Sequence, residues 1–136
     1  MNFTPDFGWY YRSAEDRAPA FTGVEYFWDF FTGAPAFAAA NGGIGPFGRE
    51  VERNEVDLGD VVQLGDRTGD FYHTLIITAI MGEEIFVSAH SNDVYNRPLS
   101  SYDAPLARFL HIEGVRFETD ESNCFEGLIT GQSLPQ

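Results

Sequence analysis

A chain of 136 residues is about one domain's worth, and 43% hydrophobic with 15% aromatic residues is a globular composition. Acidic residues number 21 and basic ones 8, all of them arginine, for a formal charge of −13, which argues against nucleic acid or an anionic membrane as partner. The single cysteine, Cys124, excludes an internal disulfide framework and a cysteine-rich zinc site. No apolar run approaches the ~20 residues of a membrane span, and the first residues lack the order of a signal peptide. A lone cysteine fits a reducing cytoplasm and an exported protein equally, so location stays open.

The front of the chain is aromatic and loop-rich. Phe3, Phe7, Trp9, Tyr10 and Tyr11 interleave with Pro5, Asp6 and Gly8, an irregular segment pinned by aromatic burial. Thr22 and Glu25 have capping-box spacing, with Phe21 and Tyr26 placed as a hydrophobic staple. Val24, Phe27, Trp28 and Phe31 then form one helical stripe, and Gly33 supplies a left-handed end. The spacing predicts a helix over 23–32 that packs its aromatic stripe on a core. Residues 33–48 read as a connector of turns, with one helical turn at Ala36 and Ala38 to Ala40. No lysine follows the glycines, so a phosphate loop is not indicated.

From about residue 58 the pattern turns to strands. Leu58 to Asp60 is a turn, Val61 to Leu64 a strand, and Gly65 to Gly69 a polar loop. Phe71 to Ile80 is a strongly β-prone run, Met81 to Glu84 a turn, and Ile85 to His90 the return strand. Pairing Ile80 with Ile85 and continuing without interruption sets Leu75 opposite His90 and His73 opposite Asn92. His73, Leu75, His90 and Asn92 then share one sheet face, with the two histidines as diagonal neighbours roughly 7–8 Å apart at the backbone.

Three readings of that histidine pair stand side by side: core histidines satisfied by backbone, a metal site completed by His111 or Asp93, and an acid–base pair serving a nucleophile. Asp60 reads as a turn cap, His111 as structural, and Arg97 as an anchor of the loop after His90 through a carboxylate.

Taken in order, Gly59-Asp60-Val61-Val62-Gln63, His73-Thr74-Leu75-Ile76-Ile77, Ser88-Ala89-His90-Ser91, Asn96-Arg97-Pro98-Leu99-Ser100-Ser101-Tyr102 and His111-Ile112-Glu113-Gly114-Val115-Arg116 resemble the putative amidase domain family. So do Gly8-Trp9-Tyr10-Tyr11 and the Thr22-Gly23-Val24 helix start. The resemblance covers residues 1–117, leaving 118–136 as a tail. It implies an α+β, papain-like cysteine hydrolase fold: a small antiparallel sheet with an N-terminal helix, and a nucleophilic cysteine at the start of a further helix. It also implies amide-bond hydrolysis on a peptide or cell-wall amide, with His73 as general base and His90 as orienting residue. Asn92 is the rival orienter. No cofactor or metal is implied.

The family's nucleophile lies in a Cys-Thr/Ala-Asn-Phe-type motif on a helix preceding the segment that resembles Met1 to Tyr11. This chain carries no such motif. Cys124 follows the matched strands, between carboxylates that disfavour a thiolate. The expectation is therefore the C-terminal part of an amidase domain, a fragment or inactive copy, or else a non-catalytic binding module of the same fold. The isolated chain is expected to lack amidase turnover, and its sheet face at His73, Leu75 and His90 to lie uncovered.

Overall fold

The computed structural model describes residues 11–33, 45–89 and 93–116. Its centre is one sheet of six antiparallel strands in the order β1-β6-β2-β3-β4-β5. The strands are β1 Gly45–Val51, β2 Val61–Gly65, β3 Phe71–Met81, β4 Glu84–Ala89, β5 Val94–Pro98 and β6 Leu106–Arg116. Strands β2 to β5 form a meander, and β6 returns to lie between β1 and β2. Among the described residues two α-helices precede them, α1 Pro19–Thr22 and α2 Val24–Thr32. The content is α+β, dominated by sheet. No described helix is long and apolar enough to cross a membrane.

The helix arrives where the stripe predicts it, by a different entry. Proline at the first position starts α1 early. Thr22 is therefore helical, and the chain breaks at an extended Gly23, which caps α2 without a side-chain bond. The expected capping box does not form with Thr22 inside α1, and Glu25 pairs with the Arg108 guanidinium at 3.2 Å. Tyr26, the expected staple residue, is half-exposed, and Phe21's side chain lies outside the description. Gly33 ends α2 in the left-handed region as expected. Trp28 and Phe31 are buried, Phe27 packs beside them, and Phe30 joins them from a neighbouring position.

The sheet begins earlier than the sequence suggests. Residues 45–51 are strand, so the last four residues of the expected connector, 45–48, belong to the sheet. Gly45, Pro46 and Gly48 mask it, since all are poor strand formers. β1 lies at the end of the strand order, where proline costs no interior ladder bond. The β1–β6 register shifts between Phe47 and Gly48. There a methyl on Gly48 would overlap the His111 carbonyl, which is backbone and cannot step aside. Gly48→Ala should therefore cost about 1–3 kcal/mol in chemical denaturation. Gly33→Ala meets no atom, so only its backbone conformation opposes it, at about 1 kcal/mol.

Strand alternation divides the interior in two. Val61 and Leu110, opposite one another, face α2 and join Ala20, Trp28, Phe30 and Phe31. Val62, Leu64, Leu75, Ile77, Ile85, Val87 and Phe109 face the other way and form the larger core with Val51 and Leu99. Tyr102 and Ala104, in the turn between β5 and β6, pack against it. Leu75 is thus 1% exposed, against the expectation of an uncovered face. The connection that follows β5 supplies the cover.

Candidate active site around His73

The β3–β4 hairpin turns at Gly82 and Glu83, and Ile80 lies opposite Ile85 as predicted. The pairing is then interrupted at Thr78. Beyond it Ile77 faces Val87 and Ile76 faces Ser88, one residue out of step with an uninterrupted register. A single extra residue in one strand changes every later partner. The uninterrupted register from which Leu75 was set opposite His90 and His73 opposite Asn92 thus ends at Thr78. His90 and Asn92 themselves lie outside the described residues, as do Trp9, Tyr10 and Cys124.

Side-chain chemistry holds the bulge. The Thr78 hydroxyl donates to Asn96 Oδ1 at 2.5 Å and lies 2.9 Å from Ser88 Oγ, which also accepts the Asn96 N–H. Asn96 adopts φ 49°, a left-handed conformation that asparagine tolerates better than most residues. Ser88 and Asn96, both within the sequence motifs, thus tie three strands together.

His73 lies opposite Leu64, on the side of the larger core, and is half-buried. Its nearest aromatic contact is Tyr102, ring centroids 6.5 Å apart and tilted by 51°. Burial holds the imidazole below the ordinary histidine value of 6.5, so the neutral ring predominates at neutral pH. A neutral imidazole has the free lone pair a general base needs. The same depression links pH to stability. The unfolded histidine takes up its proton before the folded one, so this contribution is intact above about 6.5 and is lost as pH falls below it. His73→Gln should flatten the fall in stability on acidification below that value, measured by urea titration at a series of pH values.

Arg97 behaves differently from expectation. It donates to Ser101 Oγ at 2.8 Å and to the Ser101 carbonyl at 3.1 Å, not to a carboxylate. Its guanidinium stands 3.9 Å from the centre of the Tyr102 ring. The Ser101 hydroxyl in turn donates to the Pro98 carbonyl. His73, Tyr102 and Arg97 thus form one group, drawn from β3, the β5–β6 connection and β5. Tyr102 was legible only as the last residue of a motif.

A second constellation joins Asp60 and His111. The Asp60 side chain is 4% exposed, and its Oδ2 lies 2.8 Å from His111 Nδ1. Its two oxygens also accept the N–H groups of Asp57 and Ile112. Asp60 caps its turn as the sequence indicates, while the pairing with His111 spans 51 positions. Asp57, Asp60 and His111 bring candidate ligand atoms within 4.8 Å of one another; Asp93 is not in this group. With Asp60 held by three donors, the arrangement is a clamp between β2 and β6.

No curated protein and no solved structure matches the chain. The model of the putative amidase domain family, in contrast, matches residues 1–112, a span that includes β1 to β5 and most of β6, with His73 and Tyr102 inside it. By that match the chain belongs to the putative amidase domain family.

Proposed function

We propose that this chain carries the histidine-bearing part of a cysteine-type amide hydrolase, with His73 as its general base. The observation that supports the reading most is the family match across His73, a residue whose ring is kept neutral by burial. In this reading a cysteine thiol from outside residues 1–136 gives its proton to His73 and attacks the amide carbon. The tetrahedral intermediate expels the amine, which takes the proton from His73, and water hydrolyses the resulting thioester. His90 orients the imidazole, as the resemblance implies, with Asn92 as the rival orienter. The substrate class is a peptide or cell-wall amide, and neither nucleic acid nor membrane is a partner of so acidic a chain.

Cys124 is not the nucleophile in this reading, because the carboxylates beside it oppose thiolate formation. The test compares the chain alone with the chain supplied with a Cys-bearing helix of the family type, on peptide and cell-wall amides. Turnover is expected only with the helix, and His73→Ala should lower it at least 10²-fold. Turnover by the chain alone that disappears in Cys124→Ser would overturn the assignment of the nucleophile. A complemented chain that binds such amides without cleaving them would establish the binding module instead.

A further inference from the structure

Tyr102 holds a polar atom with no explained purpose. Its hydroxyl is buried and has no hydrogen-bond partner among the described residues. Such groups are uncommon in folded proteins and costly to keep. Phenylalanine would fill the same place without that cost. The adjacent ring, His73, also makes no hydrogen bond among the described residues, and its centroid is 6.5 Å from that of Tyr102. One group has a proton to donate, and the other, kept neutral, has a lone pair to accept it. Arg97, fixed by its two bonds to Ser101, stands over the phenol ring. A cation there draws electron density from the ring and makes the hydroxyl a stronger donor and a weaker acceptor.

We propose that Tyr102 is a positioning residue for His73, its hydroxyl donating to one imidazole nitrogen after a rotation of the histidine ring. The bond fixes the tautomer. The nitrogen facing Tyr102 is the acceptor and the other nitrogen carries the proton; in the reading above this is the resting arrangement, and the Tyr102 bond gives way before that same nitrogen takes up the thiol proton. It would also make the imidazole a weaker proton acceptor than burial alone does. Among the described charged side chains, Arg97 on β5 is placed against the Tyr102 ring, and burial is what lowers the proton affinity of His73. The importance of His73 rests on the function proposed above, whereas the Tyr102–His73 bond does not.

The experiment is an NMR titration of the ¹⁵N-histidine-labelled chain and its Tyr102→Phe variant. In the parent, one His73 tautomer should predominate at neutral pH. In Tyr102→Phe the two ring nitrogens should approach averaged shifts, and the proton affinity of His73 should rise about 2–10-fold, the equivalent of one hydrogen bond. A role confined to packing would move the melting temperature and leave both ring signals unchanged. Unchanged tautomer and proton affinity in a folded Tyr102→Phe would overturn the proposal, whatever its melting temperature. Should the variant fail to fold, the parent alone decides: mixed tautomers at His73 overturn it, and a single tautomer with an accepting nitrogen hydrogen-bonded to a phenol proton supports it. Loss of the amidase reading, by contrast, would appear as His73→Ala leaving turnover intact and would not touch these signals.

Discussion

Arg108→Ala should cost about 2–4 kcal/mol in urea denaturation, a large part of the stability of a domain this size. The Arg108 guanidinium is placed between two rings, 4.0 Å from the centre of Trp28 on α2 and 3.8 Å from that of Phe71 on β3. It donates twice to Gln63 Oε1, at 2.9 and 2.6 Å. Gln63 is fully buried, and its amide nitrogen donates to the Val24 carbonyl on α2 and to Thr74 Oγ1 on β3. Removing the guanidinium takes away both ring contacts and leaves a buried amide oxygen without donors. Arg108→Lys should recover little, because an ammonium cannot stack flat between two rings while donating in parallel to one oxygen. Glu25→Ala should shift stability by no more than about 0.5 kcal/mol, since that carboxylate is half-exposed and screened. A blue or red shift in Trp28 emission should accompany the arginine changes and not the glutamate one. Equal losses from Arg108→Ala and Glu25→Ala would mean that the ion pair, not the stack and amide, joins helix to sheet.

The second large effect belongs to Asp60. Asp60→Ala should cost about 3 kcal/mol, because it leaves two backbone N–H groups and His111 without their acceptor at once. Asp60→Asn keeps the shape and one acceptor oxygen, but turns an NH2 group towards a donor, so an intermediate loss is expected. His111→Ala should cost less than either, because Asp60 then retains both backbone donors. The order of the three variants in equilibrium unfolding is the check. If His111→Ala proves the most damaging, the carboxylate is not the centre of the clamp.

Both networks show what a sequence does and does not disclose. Gln63 and Arg108 are direct partners across β2 and β6, and Asp60 and His111 lie one step beyond the Val61–Leu110 pair. Periodicity marks each strand but not which strands become neighbours, so residues 45 and 51 positions apart could not be joined in advance. The β3–β4 pairing was legible because a tight turn fixes the first partners. It ceased to be legible at Thr78, where hydroxyl and amide bonds to Ser88 and Asn96 accommodate an extra residue that no hydrophobic pattern reveals. The helical stripe survived a wrong start, because burial of Trp28 and Phe31 decides the helix more strongly than its cap. His73 was found through its motif, whereas Tyr102 needed the turn after β5 to be seen folded back upon it.

The ends of the strand order, β1 and β5, bear on how copies of this chain meet one another. An open border of unpaired backbone groups invites a second chain to continue the ladder. Here each border is blunted. β1 carries Pro46, a register shift, and the Arg49 and Glu50 side chains, with Arg49 paired to Glu113 at 2.7 Å. β5 carries Pro98, a register shift, and Asn96 in a left-handed turn of the backbone. Neither presents the flat, regular template that strand-by-strand growth requires, and a charge of −13 adds mutual repulsion at low salt. Fibrillar assembly of the folded chain is thus opposed at both margins of its sheet.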